Sequence, residues 1–212
     1  MITPDWDGVD GTLRRYERAA LTGPWISVGS PIAIVVGTSG MAWDAAWHDP
    51  QVVPGPVKQE GDGRSPAGVF TLSRAFGYES SSAQAARKLQ YVQATDSLDC
   101  VDDPRSRYYN QLVDRSAVQP DWASSEQMRR PDDLYRLGVV VDYNVQPVVS
   151  GAGSCIFLHI WNGLGRGTAG CTAMTADAMA GVIAWLDPEA HPVLVQFPQA
   201  VFERLREAWR LP

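Results

Sequence analysis

The side chains best suited to chemistry in this sequence are a histidine and a cysteine separated by a glycine-rich run. His159 lies in a hydrophobic stretch, and Cys171 follows glycines at 163, 165, 167 and 170. A free thiol has a pKa of about 8.5, so near neutral pH it needs a neighbouring base before it attacks a carbonyl carbon. Taken singly, each residue type is more often structural than catalytic. Their closeness predicts cysteine acyl-transfer chemistry, with Cys171 as nucleophile and His159 as base.

The strand that carries His159 is predicted to have one apolar face and one mixed face. Alternation along residues 154–161 places Ile156, Leu158 and Ile160 on the first face, and Cys155, Phe157, His159 and Trp161 on the second. A mixed face of this kind is typical of the floor of a cleft. The glycines that follow allow a sharp turn, and the backbone N–H groups around Gly170 and Cys171 are suited to hold the oxyanion of a tetrahedral intermediate.

These residues resemble the catalytic domain of the L,D-transpeptidases, the YkuD-like cysteine enzymes that remodel bacterial peptidoglycan. The strand histidine, the glycine-rich loop and the run Thr-Ala-Gly-Cys at 168–171 carry the likeness. The segment 61–70 is similar to a family segment of the form G-x-x-x-T-P-x-G-x-F, and the likeness extends from about residue 32 to residue 197. Two positions depart from the family: Ala169 replaces a histidine, and Ala173 replaces an arginine. The chain therefore resembles a divergent branch.

The resemblance implies a thioester mechanism on peptidoglycan stem peptides, without a cofactor or a metal. Cys171 would attack the peptide carbonyl that follows the L-centre of a diaminopimelate residue, and an amine of a second stem would resolve the thioester. His159 would act as base and then as acid, oriented by a backbone carbonyl, and Gly170 would belong to the catalytic loop. The residues expected to contact the substrate are Thr168, Arg166, Trp161, Ala169 and Thr172. Carbapenems are the expected inhibitors.

Arg166 and the altered motif leave alternatives open. Arg166 is either the replacement for the missing carboxylate-binding arginine or a solvated loop charge. The altered motif also permits a hydrolytic cysteine carboxypeptidase or amidase that acts on the same polymer. A catalytically inactive wall-binding module is the third possibility, and the presence of both His159 and Cys171 argues against it.

Composition and charge exclude several other classes of protein. The chain has 212 residues, a net charge of −6 and a pI near 5.0, which argues against a nucleic-acid surface or a polybasic membrane patch. The sequence contains no CxxC, HExxH, P-loop or GxSxG motif. No apolar run is long enough to span a bilayer, and the amino terminus shows no leader. The resemblance nevertheless predicts work in the periplasm or cell envelope, with a leader removed or left out of this chain.

Three cysteines cannot all pair within one chain, so at least one thiol is free. If Cys171 is the nucleophile, Cys100 and Cys155 form either a disulfide or two buried thiols. We predict two buried thiols.

The predicted fold is mainly β: a YkuD-like β-sandwich or barrel-like mixed sheet with a few short helices. Residues 1–30 are expected to form an N-terminal hairpin or extension of a single domain, and residues 31–212 its catalytic part. Helices are predicted at 80–89, after Thr175 as N-cap, and at 199–209. Residues 12–20 are read as a strand of the hairpin or as a short helix. Residues 119–133 are either a cap over the cleft or an ordinary surface loop.

Overall fold

The structure is a computed structural model that describes residues 1–20, 22–47, 53–80 and 88–212. The strands are β1 Ile2–Thr3, β2 Asp10–Glu17, β3 Ile26–Val35, β4 Met41–Trp43, β5 Ser65–Gly77, β6 Gln90–Gln93, β7 Leu98–Val101, β8 Leu112–Asp114, β9 Ser125–Gln127, β10 Leu137–Val141, β11 Phe157–Ile160, β12 Thr172–Met174 and β13 Val193–Pro198. The helices are α1 Ala176–Trp185, a short 3-10 helix Pro188–Ala190, and α2 Gln199–Arg206.

The main sheet closes into a barrel because one long strand pairs twice. Its strand order is β10-β11-β12-β3-β2-β1-β13-β5, with β4 and β6 also paired to β5. Residues 68–71 of β5 pair with β13, and residues 72–77 pair with β10. The ring therefore has no free edge between β5 and β10. Parallel pairs at β11–β12 and β1–β13 make the sheet mixed, and the prediction of a mainly β, barrel-like mixed sheet is confirmed.

The two faces of β11 pack into different clusters, as the alternation predicts. Ile156, Leu158 and Ile160 join the main core with α1. Cys155 and Phe157 join a second, smaller cluster that also contains Cys171. The mixed face of the strand thus forms the floor on which the candidate pair lies.

Several predicted elements are confirmed outside the barrel closure. The first hairpin is built of two strands, β2 and β3, and the alternative of a short helix is wrong. Thr175 caps α1, since its hydroxyl accepts a hydrogen bond from the Ala178 N–H at 3.2 Å. Most of the helix predicted at 80–89 lies outside the described residues. The stretch 119–133 contains the short strand β9.

A small three-stranded sheet, with the order β8-β7-β9, lies beside the barrel. A disulfide between Cys100 on β7 and Cys155, just before β11, joins the two sheets, with Cα atoms 5.9 Å apart. The prediction of two buried thiols was therefore wrong. The two cysteines are 55 residues apart in sequence, and only folding of the small sheet against β11 brings them within bonding distance. Cys171 is the one free cysteine.

Removing this disulfide is expected to destabilise the fold strongly. Because the bond closes a loop of 55 residues, its loss in Cys100→Ala/Cys155→Ala should lower the free energy of unfolding by about 4 kcal/mol. Urea denaturation measures this change. Cys171→Ala is the matched control, because it removes a buried sulfur without opening a loop. A loss below about 1 kcal/mol in the double variant would contradict the cross-link's role.

Candidate active site

Cys171 follows a loop whose backbone is held against the turn between β3 and β4. The Thr38 N–H donates to the Thr168 carbonyl, and the Thr168 N–H donates to the Val36 carbonyl, both at 2.9 Å. A Cβ at Gly167 would lie 2.7 Å from the Thr38 Cα, so only glycine permits this close approach. Gly170 has φ +155°. Gly167 and Gly170 therefore serve the docking of the loop that delivers Cys171, whereas Gly163 and Gly165 have open space around them.

Ser65 holds the same loop through hydrogen bonds of its side-chain hydroxyl. Its hydroxyl is fully buried, accepts the Gly37 N–H at 3.0 Å, and faces the carbonyl oxygens of Gly170 at 2.7 Å and Cys171 at 3.0 Å. The Thr168 hydroxyl also donates to the Cys171 carbonyl, at 2.6 Å, and accepts the Gly170 N–H at 3.1 Å. Sequence reasoning included Ser65 in a family-like segment but assigned it no role. Its contacts show that this segment supports the cysteine loop.

The pairing of β11 with β12 puts His159 and Cys171 on one face of the sheet. These strands are parallel, with His159 opposite Ala173. Because side chains alternate along a strand, Cys171 and Ala173 point to the same side, and so does His159. The Phe157 N–H donates to the Cys171 sulfur at 3.3 Å, which fixes the start of this register. The two candidate residues are therefore diagonal neighbours across adjacent strands.

Both residues line a cavity of about 780 Å³. Of the other residues that the sequence predicts at the site, five also line it: Gly170, Thr168, Arg166, Trp161 and Ala169. Thr172 does not. It is buried on the opposite face of β12, where its hydroxyl donates to Gln196 at 2.8 Å. A cavity of this volume is large enough for a short peptide segment.

His159 is held in an orientation that leaves one ring nitrogen open. Its Nδ1 lies 2.8 Å from the Ile160 carbonyl oxygen. Since a carbonyl only accepts hydrogen bonds, Nδ1 carries the proton of the neutral ring and Nε2 has the free lone pair. Burial lowers the pKa of His159 to about 4, so the imidazole is neutral at physiological pH. A neutral imidazole with a free Nε2 can accept a proton.

Cys171 is protonated in the resting protein. Its side chain is 4% exposed, and burial, with a further contribution from the nearby Glu126 carboxylate, raises the pKa of the thiol well above its usual range. The thiol donates to the Cys155 carbonyl oxygen at 3.4 Å. Thiol and imidazole are thus both neutral in the folded protein.

Part of the cavity lining, here called the charged wall, carries charges that the sequence did not reveal. It contains four carboxylates and two cations: Glu60, Asp102, Glu126, Asp132, Lys58 and Arg130. Lys58 pairs with Asp62, and Arg130 pairs with Asp132. The stretch 119–133 contributes Glu126, Arg130 and Asp132, so it does form one wall of the cleft. Among the described residues, no group of three His, Cys, Asp or Glu side chains is arranged to hold a metal ion.

The lowered pKa of His159 predicts a specific loss of stability in acid. The unfolded chain takes up a proton near pH 6.5, whereas the folded protein does so only near pH 4. The free energy of unfolding should therefore fall by about 3 kcal/mol in total as the pH drops from 6.5 to 4. Above pH 6.5 His159 should cause no such loss. Arg130 lowers and Asp132 raises the same pKa more weakly than burial does.

The test compares urea unfolding of the wild type and His159→Asn between pH 4 and pH 8. The variant should lose this part of the pH dependence. His191→Gln is the matched control, because His191 is exposed and should leave the wild-type profile in place. Parallel profiles for the wild type and His159→Asn would contradict the prediction.

The chain thus combines a mixed, barrel-like sheet with a free thiol and a neutral imidazole that line one cavity. A family model described as YkuD, L,D-transpeptidase catalytic domain, matches residues 10–195 of the 212-residue chain. The chain belongs to this family, whose members are cysteine-dependent enzymes that act on peptidoglycan and are sensitive to β-lactams. Searches of the curated proteins and of the solved structures found no match. No helix in the described ranges has the length and apolarity needed to cross a membrane.

Proposed function

We propose that this protein is a peptidoglycan L,D-transpeptidase in which Cys171 is the nucleophile and His159 the base. One observation carries the proposal: the free thiol and an imidazole oriented by a backbone carbonyl share one sheet face and one cavity. Membership of a family that acts on peptidoglycan supplies the substrate class. We propose that the protein acts in the cell envelope, where peptidoglycan is located.

Acylation begins when a stem peptide brings a carbonyl carbon to the Cys171 sulfur. The thiol proton passes to His159 Nε2, and the electron pair left on sulfur forms the bond to carbon. The carbonyl becomes a tetrahedral oxyanion. Its collapse breaks the carbon–nitrogen bond, and His159 returns the proton to the departing amine. The product is a thioester on Cys171, and the imidazole is neutral again.

Resolution repeats the same proton transfers with a second stem. Its amine nitrogen attacks the thioester carbon and loses a proton to His159, and the carbon–sulfur bond breaks. The thiolate of Cys171 then recovers the proton from His159. If water attacks instead, the product is a shortened stem with a free carboxylate, and the protein acts as a carboxypeptidase.

The substrate is proposed to lie between the glycine-rich loop and the charged wall. Arg166 is exposed on that loop and lines the cavity, so it can approach a substrate carboxylate in place of the arginine that Ala173 replaces. Ala173 is fully buried in β12 and has no access to the cavity. Trp161, Thr168 and Ala169 also line the cavity on the loop side. Gly170 belongs to this loop as well, but its N–H is already bonded to the Thr168 hydroxyl.

The deciding experiment is mass spectrometry of muropeptides after incubation with the purified protein in ¹⁸O water. Cross-linked dimers without ¹⁸O are the expected product of the wild type. Shortened monomers that carry one ¹⁸O atom, with no dimers, would mean that the protein is a hydrolase of the same polymer. Products identical to those of Cys171→Ala would overturn the catalytic assignment and favour a wall-binding module.

A further inference from the structure

The face of β11 opposite to His159 borders a second, larger depression. Leu158 lines it, whereas its neighbour His159 lines the cavity that holds Cys171, because successive residues of a strand face opposite sides. Its volume is about 1510 Å³. Strands β1, β2 and β13, both α-helices and the residues after α2 contribute to its lining. Pockets for small molecules measure about 300 to 1,000 Å³, so this depression has room for a segment of a polymer.

The lining of this depression is basic, although the whole chain has a net charge of −6. We call it the arginine groove because it contains four arginines: Arg14, Arg15, Arg18 and Arg206. In the described part of the lining Asp10 is the one acidic side chain, and it already accepts the Gly165 N–H at 2.9 Å. Within the described ranges, Arg14, Arg15 and Arg206 form no ion pair. A concave surface with uncompensated cations attracts a negatively charged ligand.

A β-bulge brings two consecutive arginines to the groove. On a regular strand Arg14 and Arg15 would face opposite sides. The register between β2 and β3 shifts between Leu13 and Arg15, and Leu13, Arg14 and Arg15 all line the groove. Bulges that re-aim a side chain in this way are common next to functional sites. Arg15 donates to the Gly181 carbonyl at 3.3 Å, while its buried Nε has no hydrogen-bond partner in the described part of the chain.

Half of the tryptophans in the sequence line the same groove. They are four of eight, and each keeps part of its surface exposed: Trp25, Trp47, Trp185 and Trp209. Trp47 and Trp209 pack with their ring centroids 5.2 Å apart. Arg15 lies over the Trp185 ring at 5.6 Å, and the Trp185 indole N–H donates to Glu17 at 2.5 Å, so this ring is held in place before a ligand arrives. Indole rings offer flat apolar surfaces that pack against C–H groups of sugars and against methyl side chains.

Taking the identity of the polymer from the proposed function, we propose that the arginine groove binds a segment of peptidoglycan away from the reacting bond. This polymer carries both kinds of group that the groove favours: sugar rings for the indoles, and peptide stems whose carboxylates pair with guanidinium groups. When one polymer occupies the groove and the cavity together, the effective concentration of stems at Cys171 rises. The groove keeps the protein on the polymer and takes no part in the covalent steps.

Sedimentation with insoluble peptidoglycan measures this binding directly, and the parent protein is Cys171→Ala, so that no bond is formed or broken. Arg14→Glu/Arg206→Glu reverses two exposed charges of the groove. Arg136→Glu/Arg204→Glu is the matched control with the same net charge: both residues are exposed, neither lines the groove, and Arg204 shares the last turn of α2 with Arg206. We expect the groove variant to bind about tenfold more weakly than the parent, and the control to bind like the parent.

Several results would overturn the proposal. Equal binding by the parent and the groove variant would remove the arginines from recognition, and equal weakening of both variants would reduce the effect to net charge. Sedimentation with phosphatidylglycerol vesicles but not with peptidoglycan, lost in the groove variant, would assign the groove to an anionic lipid surface. A dimer seen by light scattering that only the groove variant loses would assign it to a second copy of the chain.

Turnover separates this inference from the proposed function. With Cys171 in place, the groove variant should have a KM about tenfold higher for intact peptidoglycan, and its kcat/KM for soluble muropeptides should equal that of the wild type. Binding that depends on the groove, without any turnover by the wild type, would support the groove and refute the proposed catalysis. Turnover of muropeptides with the same KM for the intact polymer in both proteins would support the catalysis and refute the groove.

Discussion

Replacing Cys171 with alanine is expected to abolish acylation by a carbapenem and to lower peptide turnover by about 10⁴-fold or more. The reason is that the proposed mechanism has one covalent intermediate, a thioester on Cys171, and Cys171 carries the one free thiol. Intact-protein mass spectrometry measures the acyl adduct directly. In the wild type we expect a single adduct, and peptide mapping should place it on Cys171.

Two controls sharpen this prediction. Cys171→Ser keeps the size of the side chain but supplies a much weaker nucleophile, so it should behave like the alanine variant. Cys100→Ala/Cys155→Ala keeps Cys171, and the folded fraction of this double variant should still be acylated once. Equal labelling of the wild type and Cys171→Ala would disprove the assignment of the nucleophile.

His159→Asn is expected to lower the rate of acylation by about 10²- to 10⁴-fold, the usual range for loss of a general base. Asparagine suits this test because its amide N–H can replace Nδ1 as donor to the Ile160 carbonyl, while nothing replaces the lone pair on Nε2. The loss of rate should persist to mildly alkaline pH, because burial keeps the pKa of the Cys171 thiol well above its usual range and solvent does not ionise it there. Stopped-flow measurement of carbapenem binding gives these rates.

His191→Gln again serves as the control and should acylate at the wild-type rate, since His191 is exposed and does not line the cavity. Circular dichroism shows whether each variant is folded. A folded His159→Asn that is acylated as fast as the wild type would remove His159 from the mechanism, while leaving the role of Cys171 intact.

The elements around the candidate pair were predictable because their signals are local. Alternation along 154–161 predicts that Ile156, Leu158 and Ile160 pack into the main core, and they do. Of the other set, Cys155, His159 and Trp161 line the cavity, whereas Phe157 packs in the smaller cluster. Ile156 also lines the cavity. Thr175 was recognisable as an N-cap because a capping hydroxyl acts on an N–H only three residues away. The glycine-rich run was recognisable from neighbouring residues alone, although the close approach that Gly167 permits is to Thr38, far away in the chain.

Other parts depend on residues that are far apart in the chain. Strands β7 to β9 have three or four residues each, too few to show an alternation. The small sheet and its disulfide were missed for this reason.

Thr172, adjacent to Cys171 in sequence, points away from the cavity because neighbours on a strand face opposite sides.

The sequence by itself determined the residue types of the candidate site: a thiol, an imidazole and a glycine-rich loop between them, next to a strand whose side chains alternate between two faces. Tertiary structure decided the electrostatic environment of the thiol and the imidazole. Glu126 lies near the Cys171 sulfur although it is 45 positions earlier in the chain, and closure of the barrel and docking of the small sheet bury that sulfur. The physical reason is that reactivity depends on hydration and nearby charge, which are set by whatever folding brings close, whereas side-chain type and strand facing are written in neighbouring residues.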